Sequence, residues 1–113
     1  MGLESILKQK IEQINSNQKL LAGIKNWIDD CFGIPKIVTL VTSDKAYHLL
    51  LTKEKGIELR DGDYGAFTLS YHGTEENIIK LLNGELRAAS AWKENKLRIW
   101  GGLNEAFHFE RLL

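Results

Sequence analysis

The hydrophobic period of this chain changes at residue 35, and that change limits the folds open to it. Before that point the apolar residues recur at helical spacing: Leu3, Ile6, Leu7, Ile11 and Ile14, then Leu20, Leu21, Ile24, Trp27 and Ile28. This predicts two amphipathic helices, separated at Asn15-Ser16-Asn17, with Ser16 or Asn17 capping the second. Gly33 and Pro35 close it, because proline disfavours helical geometry in the residue before it. From Lys36 onward the period becomes two. Lys36–Thr42 is β-branched, Ala46–Thr52 follows a Ser43-Asp44-Lys45 turn, and Ile57 and Leu59 alternate with Glu58 and Arg60. These read as three strands, the third with one wet face. The turn chemistry of Asp61–Gly65 leads into a fourth, in which Phe67, Leu69 and Tyr71 alternate with Ala66, Thr68 and Ser70.

The remaining third returns to helices. Thr74 is suited to cap a helix whose first turn holds Glu75 and Glu76, charges that complement the positive end of its dipole. Ile78, Ile79, Leu81 and Leu82 supply its buried side, and Gly84 its left-handed terminus. Ala88–Trp92 forms a short helix. Asn95 tolerates a left-handed turn, and Leu97 and Ile99 then alternate with Lys96, Arg98 and Trp100 as a fifth strand. Gly101-Gly102 breaks it, and Leu103, Ala106, Phe107 and one of Phe109 or Glu110 begin the last helix. The expected architecture is α+β: a single five-stranded, mainly antiparallel sheet with helices packed on one face.

At 113 residues the expectation is one domain spanning 1–113. Fifteen Lys and Arg balance fifteen Asp and Glu, so there is no clustered basic excess of the kind nucleic acid requires. Cys31 is alone and forms no internal disulfide, which suits a reducing compartment. No run reaches the roughly 18 apolar residues of a spanning helix, and no early segment reads as a secretory signal, so a cytoplasmic protein is expected. His48, His72 and His108 have no metal-ligand spacing, and neither a phosphate-binding glycine loop nor a nucleophile elbow is present. Ser70, His72 and Glu75 match no triad pattern. Cys31 has no obvious basic neighbour in sequence to activate it. The reading is non-catalytic, with no metal and no cofactor.

Particular stretches carry a family resemblance. They are Phe67-Thr68-Leu69, the helix end Leu81-Leu82-Asn83-Gly84, Ala91-Trp92, and Lys96-Leu97-Arg98-Ile99-Trp100-Gly101 followed by an apolar closing helix. In that order they resemble the sterol carrier protein 2 (SCP-2 sterol-transfer) domain family. Asn95 stands where that family usually has glycine, Trp92 where it has phenylalanine, and Arg87 or Ala88 where proline is common. The resemblance implies an apolar tunnel between sheet and helices for sterols, fatty acyl chains or phospholipids, lined and closed by the last helix.

On that basis Phe67, Leu69, Ile78, Leu82, Trp92, Leu97, Ile99, Leu103 and Phe107 are the candidate ligand-binding residues. The bland reading is that each is simply core. The expected partner is a hydrophobic, lipid-like small molecule, with at most transient membrane contact, in a monomer or homodimer. The alternative is an interaction or regulatory module in which side chains fill the tunnel, Trp92 acting as plug. Trp100, on the strand face opposite Leu97 and Ile99, is expected to lie under the N-terminal helices or else to face a membrane or partner.

Overall fold

The computed structural model describes residues 2–113. Two helices come first, α1 (Leu3–Asn15) and α2 (Gln18–Asp30), followed by the strands β1 (Lys36–Val41), β2 (Ala46–Thr52), β3 (Gly56–Asp61) and β4 (Leu69–Gly73). Then come α3 (Glu75–Leu82), α4 (Ala88–Lys93), β5 (Leu97–Trp100) and α5 (Leu103–Glu110). The strands form one sheet in the order β3-β2-β1-β4-β5. Every pairing is antiparallel except β1 with β4, which is parallel.

That one parallel pairing explains the loop before β4. The chain leaves β3 at one edge and must cross β2 and β1 before it can pair with β1 from the far side. Residues 62–68 make this crossing over the outer face. The Tyr64 ring lies tilted against that of His48, whose Nδ1 meets the Gly62 carbonyl at 2.9 Å, and the Ile37 N–H donates to Thr68 Oγ1. Phe67 therefore lies in the crossing loop, exposed, and β4 begins two residues later than its alternation suggests.

Local signals account for most helix ends. Asn17 caps α2 by accepting from the N–H groups of Lys19 and Leu20, and Thr74 caps α3 by accepting from that of Asn77. α3 ends in a Schellman arrangement: Gly84 N–H bonds the Leu81 carbonyl, Glu85 N–H bonds that of Lys80, and Gly84 has φ +76°. α4 ends the same way around Asn95, at φ 60°, with Lys96 N–H donating to the Ala91 carbonyl. Asparagine thus adopts the left-handed geometry that glycine would otherwise supply. α1 has no cap of its own side chains. Its Leu3 N–H instead donates to Glu75 Oε1 from α3, so Glu75 serves two helices.

The inner sheet face carries Val38, Leu40, Leu49, Leu51, Leu69 and Tyr71, which pack with Leu7, Ile14, Ile24, Trp27, Ile78, Leu82 and Phe109 from the helices in one buried cluster. Asn15 seals the β3 edge, donating to the Ile57 carbonyl at 2.9 Å and accepting from the Ile57 N–H at 3.0 Å. An edge strand's free backbone groups are thereby paired rather than left as a template for another chain. Asn15→Ala is expected to cost about 1.5 kcal/mol in urea unfolding, the net worth of two hydrogen bonds less water's compensation, and to speed amide exchange selectively at Ile57. Uniform protection across the sheet in that variant would contradict this role.

Trp100 is not covered by the N-terminal helices. It lies on the outer face, 44% exposed, with its ring 4.5 Å from that of His72. Strand alternation assigns it to that face, and all the helices that could cover it sit on the other one.

Candidate functional site

α5 is held by polar groups as much as by apolar ones. Glu105, on its first turn, reaches inward between α2 and β1. Its Oε2 accepts from Trp27 Nε1 at 2.9 Å and from the Lys36 ammonium at 3.1 Å, while its Oε1 lies 3.6 Å from Cys31 Sγ. The Lys36 ammonium also sits 5.5 Å from the Trp27 ring, and His108 stacks on the other part of that indole at 5.6 Å. Burial pushes the Lys36 pKa down, but hydrogen bonds to Cys31 and Glu105 and the Glu105 charge outweigh it, and the net direction is upward. Cys31 therefore has a basic neighbour, brought to it by folding, and His108 packs against Trp27.

This anchoring sets the rotation of α5. With Glu105 drawn inward, Ala106, Phe109 and Glu110 become the buried side, and Leu103 and Phe107 turn outward. The expectation that Phe107 lines a tunnel beneath this helix fails, because a charged residue that finds partners inside outcompetes an apolar one. The second turn is pinned as well: Glu110 Oε1 accepts from the Ala88 N–H at 2.6 Å, at the start of α4.

Between α4, the end of β5 and the start of α5 lies an open groove of about 360 Å³. Ala88, Ala89, Trp92, Ile99, Leu103 and Ala106 form its apolar walls, Gly101 and Gly102 its turn, and Lys93 its rim. Ala88 and Ala89 on α4 are too small to fill the space between the two helices. Of the nine residues proposed from sequence, the structure gathers Trp92, Ile99 and Leu103 here. Leu69, Ile78, Leu82 and Leu97 lie fully buried in the core cluster, Phe107 stands one turn beyond Leu103 on the exposed side of α5, and Phe67 is in the crossing loop. Ala88 and Ala89 of α4 line the groove without having been expected to; the run of small residues Ala88-Ala89-Ser90-Ala91 is the signal the sequence carries.

A larger hollow of about 910 Å³ opens where the β1–β2 turn meets the start of α3 and β5. Thr42, Asp44, His72 and Arg98 line it together with Val41, Leu97 and Trp100, so its wall mixes polar and apolar groups in about equal parts. Ser70, on the same sheet face as His72, is fully buried with its hydroxyl shared between Thr39 and His72, and Glu75 is spent on the α1 terminus. Among the described residues no group of three or more His, Cys, Asp or Glu is placed to hold a metal ion, and no helix is long and apolar enough to cross a membrane.

No family model matches this sequence, and no curated protein does. Solved structures match well. A ubiquinone synthesis protein of the UbiJ-SCP2 type superposes with a TM-score of 0.73 at 10% identity, over 97% of this chain and 90% of that one. The palmitated SCP2L2 of Aedes aegypti gives 0.62 at 10% identity, over 99% and 94% of the two chains. The apo sterol carrier protein 2 of Yarrowia lipolytica gives 0.62 at 14% identity, over 92% and 84%. This chain has the sterol carrier protein 2 fold. Within the SCP2 fold, a mixed, mostly antiparallel five-stranded sheet carries its helices on one face, and the groove of this chain lies between that layer's last two helices and the end of β5.

Proposed function

We propose that this chain binds a hydrophobic, lipid-like molecule without catalysis, in the groove between α4, β5 and α5. The observation that carries the reading is the groove itself: an apolar hollow of about 360 Å³, flanked by side chains too exposed to be core. Trp92 is 65% exposed and Leu103 62%. Its volume falls within the usual range of roughly 300–1,000 Å³ for ligand sites. A chain burying about ten methylenes there gains about 8 kcal/mol before the costs of association. The SCP2 fold and the palmitated state of one structural neighbour support the same class of ligand.

Two measurements test the proposal. Mass spectrometry of an organic-solvent extract of the purified protein is expected to show bound lipid, and titration with diphenylhexatriene to raise its fluorescence saturably. Trp92→Ala is expected to weaken that binding about tenfold, the worth of one partly buried aromatic wall. Trp100→Ala, on the opposite sheet face, is expected to leave it unchanged. A clean extract with no saturable fluorescence refutes the reading.

One observation favours a second reading. Trp92, Leu103 and Phe107, the last 53% exposed, are large apolar side chains borne on the neighbouring helices α4 and α5. An interaction module would use them against a partner or a second copy, since such patches mark contact sites. Sedimentation separates the two: a dimer lost in Leu103→Asp, without lipid in the extract, supports the module.

A further inference from the structure

The outer face of the sheet carries chemistry that the groove does not use. The pairing register lays two rows of side chains across β1, β4 and β5: Thr39, Ser70 and Trp100, and beside them Val41, His72 and Arg98. Trp100 and the whole second row line the hollow of about 910 Å³. Beneath them, Thr39 and Ser70 are fully buried and joined by a hydrogen bond, at positions where an apolar pair would be buried at less cost. Ser70 Oγ lies 3.1 Å from His72 Nε2, and the Trp100 ring lies 4.5 Å from the imidazole on its other side chain neighbour's row. These contacts orient the imidazole and leave its Nδ1 without a partner among the described residues. Arg98 is exposed and forms no ion pair among the described residues, whereas Lys96, two residues before it, pairs with Glu94 at 3.5 Å.

We propose that this hollow is a second binding site, separate from the groove, and that it takes a small aromatic monocarboxylate. Arg98 and Trp100 stand two residues apart on one face of β5, roughly 7 Å along an extended strand. That spacing suits a ligand whose ring lies on the indole and whose anion meets the guanidinium. The planar guanidinium fork matches a carboxylate with two parallel hydrogen bonds, and an exposed indole offers an apolar face for a ring. Charge limits the ligand to one anion. Of the Lys and Arg residues lining the hollow, Lys96 is already paired, while Asp44 and Glu75 stand on the walls formed by the β1–β2 turn and the start of α3. A phosphate or a dicarboxylate would bring a second negative charge toward those two, and like charges repel.

The test titrates the full chain with cinnamate and with its uncharged amide, cinnamamide, by calorimetry and by NMR of the tryptophan indole N–H groups. Cinnamate is expected to bind saturably and about tenfold more tightly than cinnamamide, the worth of one charge-assisted pair. The Trp100 indole resonance is expected to move and that of Trp92 to stay. In Arg98→Gln, an exposed position at which folding is not at issue, the preference for the carboxylate is expected to vanish while diphenylhexatriene uptake matches wild type. Absence of cinnamate binding, equal cinnamate affinity in wild type and Arg98→Gln, or a shift at Trp92 instead of Trp100 overturns this inference. The groove reading is decided separately, by the lipid extract and by diphenylhexatriene, so either can fail alone.

Discussion

Glu105→Ala is expected to destabilise the protein by about 3 kcal/mol, because it strands the Lys36 ammonium in a site from which water is largely excluded. The side chain of Lys36 is only 6% exposed and that of Glu105 21%, and Glu105 is the carboxylate within reach of the ammonium. Breaking one side of a buried pair costs far more than the pair itself contributes, so a second change is the informative one. Lys36→Met in the Glu105→Ala background is expected to restore most of the loss, since an apolar replacement removes the unpaired charge. Urea unfolding of the four proteins closes the cycle. If the single variant loses less than about 1 kcal/mol, the ion pair is not what holds α5.

The same pair has a pH signature. The Lys36 pKa is raised in the folded state above its ordinary 10.5. A raised value means the folded state holds the proton more tightly than the unfolded chain does. The contribution is therefore complete below about pH 10.5 and is lost as the pH climbs above it through the folded-state value. Wild type is expected to lose stability in that alkaline range more steeply than the Lys36→Met, Glu105→Ala double variant.

Gly101→Ala is the second large effect, at about 3 kcal/mol. Gly101 has φ +118°, a conformation that side chains rarely adopt, and an added Cβ would lie 2.7 Å from the Thr68 carbonyl oxygen and 3.1 Å from Leu69 Cδ1. The first obstacle is backbone, so the crossing loop must shift. Strain of this kind costs about 1–3 kcal/mol and displaced packing a similar amount. Gly102→Ala is the control: nothing lies within 4 Å of its added Cβ and its φ is ordinary, so less than about 1 kcal/mol is expected. Because Gly101 also lines the groove, its variant is expected to lose diphenylhexatriene uptake while still folded at low temperature. Equal thermal midpoints for the two alanine variants would show that the close approach to Thr68 carries no energy.

The element order was legible because its signals are local. Helical spacing in the first 28 residues, alternation after Lys36, the caps Asn17 and Thr74, and the turn formers Gly84 and Asn95 each act within a few residues, and each appears where its chemistry belongs. The resemblance to the sterol carrier protein 2 family added the expectation of an apolar tunnel between the layers. The errors came where distant groups competed. Phe67 alternates correctly for a strand but lies in a segment that must bridge two strands to reach β1. Phe107 fits a tunnel wall until Glu105 takes the inward position.

By itself the chain's order of residues determined which segments are helix, which are strand, and which sheet face is oily, since period and capping are properties of neighbours. Only the tertiary structure decided which oily residues are core and which border an open groove. That outcome depends on partners far apart in the chain, Glu105 with Trp27 and Lys36, Glu110 with Ala88, Tyr71 with no partner at all. Periodicity says that a side chain faces inward; it does not say what will be waiting there.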